Sequence, residues 1–193
     1  MIPFNEPFEK TDRLVTERLI LRCPTPDMRA GILAYRQMNR QHLQPWEPER
    51  APEFYTTLAV EDRLRDMQRQ IQDQSAIHWL VFAHDRDDIV GDCSFTNIVR
   101  GPFQACHLGF SLGSECQGKG LMHEALAAAI SHTFETHKLN RIMANYQPTN
   151  HRSEKLLLRL GFEREGLAKR YLKINGRWAD HVLTSLINPV DML

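Results

Sequence analysis

Apolar and polar positions alternate in LVTERLILR, residues 14–22, and the run halts at Pro24, which predicts a first strand. Thr25, Pro26 and Asp27 then supply a cap, a first-turn proline and an acid near the positive helix end, so a helix is expected to about Asn39. The segment 41–54, QHLQPWEPERAPEF, is rich in proline and reads as a loop with one short helical turn. Leu58, Leu64, Met67 and Ile71 fall at helical spacing and predict a long helix over 57–74. The pattern then switches to HWLVFAH, IVGDCSFTNIV and FQACHLGFSLG, separated by the turns DRDD and RGP, which is an antiparallel meander.

Beyond the meander, LMHEALAAAISHTFETHK is a strong helix of about five turns, rich in alanine and leucine. RIMANYQP is a strand ended by proline. NHRSEKLLLRLG is a helix closed by Gly161, and FEREGLAKRYLKI with RWADHVLTSLI forms a last hairpin around Asn175 and Gly176. No repeat or linker divides the chain, so residues 1–193 are expected to form a single α+β (mixed α/β) domain, with 1–13 as an extended N-terminal segment.

Charge narrows the function classes. Lys plus Arg and Asp plus Glu both number 24, so no global field favours nucleic acid or an anionic membrane, and any anion site must be local. Cys23, Cys93, Cys106 and Cys116 contain no CxxC pair, and the nine histidines form no HExxH or Cys/His set, so no metal site is expected. No apolar run approaches the length of a membrane span and no signal segment opens the chain; a cytoplasmic protein with reduced thiols is expected.

Residues 113–122, GSECQGKGLM, match a Walker A loop up to its last position, where Gly120 replaces the Ser or Thr hydroxyl that would hold magnesium. The strands before it are hairpins, whereas a Walker loop sits in a parallel βαβ unit; a dinucleotide fingerprint fails at His123, where glycine or alanine is required. The order strand, glycine loop, helix still suits an anion, because a helix start offers unpaired N–H groups and a partial positive charge. A diphosphate held by backbone amides alone needs neither hydroxyl nor metal.

Gln117, Gly118, Lys119, Gly120, Leu121 and Met122 resemble the coenzyme A signature of the GNAT acetyltransferases (Gln or Arg, two residues, Gly, one residue, Gly or Ala), and Met122 is the departure. ANYQPTNHRSEKLLLRLGFEREG resembles the second half of that superfamily. TERLILR, LQPWEP, FTNIVRG, QGKGLM, RIMANY, NHRS, LGFEREG and INGRWADHVLTSL together resemble the RimJ type of bacterial ribosomal-protein-alanine N-acetyltransferase, from about Leu14 to Leu186.

The resemblance implies a GNAT fold, with a central, mostly antiparallel sheet splayed at the acetyl-CoA site and flanked by helices. It implies acetyl-CoA as cosubstrate and, as acceptor, the N-terminal alanine amine of a small-subunit ribosomal protein, met as a free peptide end or on the small subunit or its assembly intermediates. No direct reading of nucleic acid and no membrane are implied. The competing readings are a GNAT acetylating a small-molecule amine or peptide toxin, and a non-catalytic acyl-CoA-binding module.

Free amides around Phe110, Ser111 and Leu112 would face the thioester, and Asn150, Arg152 and Lys119 would meet pantetheine and phosphates. His107, on the strand entering the loop, and Glu47 are candidate bases, while Glu47 could instead orient the amine. Trp46 could form an aromatic wall of a peptide slot. Leu156 and Leu157 occupy the place where many superfamily members carry an acid tyrosine, which leaves Ser153 or water to protonate the leaving sulfur.

Overall fold

The computed structural model describes residues 13–190. The expected N-terminal segment lies almost wholly outside these residues. The chain runs β1 (Arg13–Val15), β2 (Leu19–Arg22), α1 (Arg29–Met38), α2 (Arg40–Leu43), α3 (Thr57–Gln72), β3 (Ile77–Ala83), β4 (Ile89–Val99), β5 (Ala105–Leu112), α4 (Leu121–His137), β6 (Arg141–Met143), α5 (His151–Arg159), β7 (Glu163–Ile174) and β8 (Arg177–Ile187). The sheet has eight strands in the order β1-β2-β3-β4-β5-β6-β8-β7. All neighbours are antiparallel except β5 and β6.

β3 shows how the layers form. Ile77 to Phe82 are all buried. Because side chains alternate across a strand, Trp79 and Val81 join a core with Leu126, Ala129 and Phe134 of α4, while Leu80 and Phe82 join Ile32, Tyr35, Val60 and Leu64 of α1 and α3. A strand covered on both faces reads as a near-continuous apolar run, broken here only by His78, whose ring is bonded to Ser94 and Gln70.

Three expectations need correction. The segment 14–22 is not one strand but the hairpin β1–β2, because Thr16 accepts from the Leu19 amide through Oγ1 (3.1 Å) and donates its own amide to the Leu19 carbonyl (2.9 Å). The proline-rich segment is more helical than expected, with α2 followed by tight turns at Gln44–Trp46 and Pro52–Tyr55, each with a proline in its first turn, where the missing N–H costs nothing. RIMANYQP is continuous strand only through Met143; Tyr146 keeps a single bridge to Val182.

Candidate active site

The site begins where β5 loses a neighbour. On one side β5 pairs with β4 as far as Gly91 with Leu112; on the other it pairs with β6 only at Ala105, Cys106 and His107. After Met143 the chain stays with β8, through Ala144 to the Thr184 carbonyl (3.0 Å) and a reciprocal pair between Tyr146 and Val182. A wedge therefore opens beside Leu108–Leu112, and alternate backbone groups of that stretch point into it with no strand opposite.

At the end of β5 the chain turns through Gly118 (φ 76°) and Gly120 (φ 77°) into α4, so the helix starts on a left-handed glycine. A Cβ at Gly120 would meet only Arg18 Nη2, at an ordinary 3.6 Å, so glycine is required by the backbone conformation and not by crowding within the fold. The loop is clamped from the β1–β2 turn. Arg18 donates to the Lys119 carbonyl (2.9 Å) and to Glu124 Oε2 (2.7 Å), and the Arg18 amide and Thr16 hydroxyl reach Glu124 Oε1 at 2.8 and 2.6 Å. Burial opposes ionisation of Glu124, but the bonds from Thr16 and Arg18 prevail and hold its carboxyl below the usual range.

Met122 is buried beneath this loop. Its partner is Gly91 of β4, where an added Cβ would fall 3.2 Å from Met122 Cε and 2.6 Å from the Ser111 carbonyl. Gly91 vacates the volume that the Met122 side chain needs, so the departure from the signature is accommodated by packing against β4 while Met122 still borders the wedge.

The wedge widens into a cavity of about 560 Å³. Phe110, Ser111 and Leu112 form its floor, Gln117, Gly118, Gly120, Leu121 and Met122 one end, and Asn150, Arg152, Ser153, Lys155, Leu156 and Arg159 of α5 the opposite wall; Trp46, Leu43 and His42 close the remaining side. Gln117 joins two walls, with its amide 2.9 Å from His42 Nε2 and its oxygen accepting from Arg152. Asn150 caps α5, accepting from the Ser153 amide at 3.1 Å. A floor of free strand amides leading to a helix start, with cationic side chains at the rim, fits a long ligand that ends in phosphates.

Residues 18–163 match the model of the acetyltransferase (GNAT) domain. The chain belongs to the GNAT acetyltransferases. Acetyl-CoA is accordingly its acetyl donor, and the cavity fits that molecule from strand to helix start. The chain is 48% identical over 178 residues, 92% of its length and 91% of the relative's, to the [ribosomal protein uS5]-alanine N-acetyltransferase of Escherichia coli (strain K12). It resembles the crystal structure of ribosomal-protein-S5-alanine acetyltransferase from Vibrio fischeri (TM-score 0.88, 41% identity, 92% of this chain and 97% of that one). Mycobacterium smegmatis RimJ in complex with CoA-disulfide is also similar (TM-score 0.83, 27% identity, 88% and 81% covered).

In this GNAT chain the cofactor-side expectations Phe110, Ser111, Leu112, Gln117, Gly118, Gly120, Leu121, Met122, Asn150 and Arg152 all line one cavity, with Trp46 and Ser153. Lys119, His107 and Glu47 are not among the lining residues. His107 is the last residue of β5 paired with β6; its Nδ1 is buried without a hydrogen-bond partner among the described residues, and burial lowers its pKa. Glu47 is gripped by Arg36 (3.0 Å) and faces Arg50 (3.6 Å). His42 and His123, which do line the cavity, carried no local signal, whereas Thr16 and Arg18 belong to TERLILR and were marked only by resemblance. No group of His, Cys, Asp and Glu among the described residues is arranged to hold a metal ion, and no helix there is long and apolar enough to cross a membrane.

Proposed function

We propose that this acetyltransferase modifies the N-terminal alanine of ribosomal protein uS5, in the cytoplasm, on the free protein or on the small subunit and its assembly intermediates. The observation that carries the chemistry is the open edge of β5 leading to the left-handed glycine start of α4, within one cavity. Identity of 48% to a uS5-alanine N-acetyltransferase across 92% of the chain supports the acceptor.

Acetyl-CoA supplies a thioester whose carbonyl carbon is open to attack. The amides of Phe110 and Leu112 are placed to polarise the carbonyl, a role worth roughly 3–4 kcal/mol for one well-aimed donor. An α-amino group titrates near ~7.7–8.0, so much of it is already neutral and the base has little to do. His107, kept neutral by burial, is our candidate to take the amine proton through water, because its ring lies outside the cavity lining. As the C–N bond forms and the C–S bond breaks, the departing sulfur takes up a proton for which Ser153 is the hydroxyl of α5 at hand.

The test is thiol release with acetyl-CoA and the uS5 N-terminal peptide, against the same peptide with a blocked amine and an internal lysine. Equal rates on the two would refute N-terminal transfer. Mass spectrometry of ribosomes from cells with and without the chain must show uS5 losing one acetyl group.

A further inference from the structure

We propose that Arg36 is a positioning residue that holds the acceptor wall of the cleft in register with the strand that carries the thioester. Arg36 lies on α1, is only 8% exposed, and is not among the residues that line the 560 Å³ cavity. Its guanidinium fork spans two carboxylates from different elements: Nη1 donates to Glu47 Oε1 and Nη2 to Asp92 Oδ2, each at 3.0 Å. Lysine has no second planar donor with which to copy that span.

Each carboxylate leads to one side of the reaction. Asp92 is the register partner of Ser111, and its other oxygen accepts from the Ser111 hydroxyl. Ser111 has one proton and gives it to Asp92, so in the 2.8 Å bond between Tyr35 and Ser111 the tyrosine must donate. Burial, and next the nearby Asp92, push the Tyr35 pKa upward, which keeps that proton in place. The chain of donors is thus closed: Tyr35 to Ser111, Ser111 to Asp92, Arg36 to Asp92. The Ser111 side chain is fully committed beneath the strand and its backbone is paired with β4, which fixes the line of β5 while the backbone groups of Phe110 and Leu112 on either side face the wedge.

Glu47 leads the other way. It follows Trp46, the aromatic wall, which is 39% exposed. The Asn175 amide at the β7–β8 tip donates to the Glu47 carbonyl (2.9 Å), and Gln147 donates to the Pro45 carbonyl (3.0 Å). Both neighbours of Trp46 are therefore held, and Arg36 is the member that connects this wall to the donor strand. Reaction rates fall steeply when two reactants are misplaced by an ångström, so a rigid tie between the two walls acts on catalysis without touching a reacting atom. In this arrangement Glu47 is a structural acceptor for arginines and not the base.

The proposal rests on acetyl transfer from acetyl-CoA and not on the identity of the amine. The decisive variant is Glu47→Gln, which keeps volume and an accepting oxygen while removing the charge, and so avoids the buried unpaired charges that loss of Arg36 would leave. With acetyl-CoA and an alanine-initiated peptide, the peptide KM should rise about tenfold, as expected for one weakened charge-assisted bond. The acetyl-CoA KM should stay within about twofold and the pH profile of kcat should not move. Asp92→Asn, which presents an amide to Arg36, should raise both KM values, and Arg36→Lys should fall between it and the parent.

A second readout needs no acceptor. In a Trp178→Phe background, with Trp79 only 1% exposed, acrylamide quenching reports Trp46 and should increase in Glu47→Gln. A shifted acid limb with unchanged peptide KM would make Glu47 the base and overturn the proposal, as would unchanged quenching. A parent enzyme inactive on the peptide would sink the acceptor assignment alone, with the quenching result still deciding the role of Arg36.

Discussion

Replacing Gly120 by alanine should separate strain from ligand loss. Gly120 holds φ 77° at the start of α4, and an added Cβ meets nothing closer than Arg18 Nη2 at 3.6 Å. Crowding therefore contributes little, and the cost is that of placing an L-residue in the left-handed region, roughly 1–2 kcal/mol. If the chain escapes the strain by rotating toward negative φ, the amides that open α4 turn away from the end of the cavity proposed to hold the diphosphate. Two other glycines serve as controls. Gly101, in the β4–β5 turn, has φ 73° with nothing within 4 Å, so Gly101→Ala should lose similar stability at no cost in cofactor binding. Gly109 of β5 has ordinary φ and open space, so Gly109→Ala should stay within about 0.5 kcal/mol of the parent. Urea unfolding at pH 7 measures the first quantity and acetyl-CoA titration the second. Gly120→Ala should lose about 1–2 kcal/mol and at least tenfold in acetyl-CoA affinity. Unchanged affinity in a folded, equally strained Gly120→Ala would refute the placement of the diphosphate at this helix start.

Acid should destabilise the fold through two histidines. Burial, then Arg63, lowers His78 to about 4, and burial, then His132 and Arg100, lowers His137 to about 4, against 6.5 for the free ring. The unfolded chain takes up these protons before the folded one does, so their contribution is complete above pH 6.5 and drains as pH falls toward 4. At pH 5 each should have cost about 2 kcal/mol, and His78→Gln should flatten the dependence of the urea midpoint on pH between 7 and 5; an unaltered slope would remove His78 from the account. Gly91→Ala drives a Cβ to 2.6 Å from the Ser111 carbonyl, which backbone must relieve, so a loss of about 1–3 kcal/mol and weaker acetyl-CoA binding are expected by denaturation and titration. Arg18→Ala removes the donor to the Lys119 carbonyl and the counter-charge of Glu124, and should raise the acetyl-CoA KM several-fold, with adding Glu124→Gln restoring part of it.

Local periodicity carries most of the fold. The meander β3–β5, the long helices α3 and α4 and the β7–β8 hairpin around Asn175 and Gly176 follow from alternation, helical spacing and turn residues. The first hairpin was hidden because its turn, Thr16–Arg18, contains neither glycine nor proline and is closed by a threonine side chain. Within the site, the cofactor loop was legible as a contiguous motif. The polar network was not, because Tyr35 and Arg36 meet Ser111 and Asp92 across 76 and 56 residues of sequence, and a buried arginine on a mostly amphipathic helix looks like any solvated charge. Glu47 drew attention as an acid beside Trp46, but its ion pair with Arg36 was not legible, because no spacing rule connects the two.

The clamp on α4 accounts for an acid in the first turn of a helix whose start we propose as the diphosphate site. Glu124 carries its charge into the region where the helix dipole favours phosphate, and an unpaired carboxylate there would compete with the ligand for the same positive end. Both its oxygens are instead turned to the β1–β2 turn and satisfied by Thr16 and Arg18, and Arg18 cancels the charge. The same guanidinium binds the Lys119 carbonyl, which fixes the peptide between the two left-handed glycines without using any amide of the loop. The N–H groups stay available to an outside acceptor because the carbonyl side has been satisfied from the opposite face. In a Walker loop a hydroxyl and a metal share the task of holding phosphate, so Gly120 would be a defect there. Here it is the residue that turns the backbone, and an ion pair from the first hairpin takes over the stiffening that a metal would give.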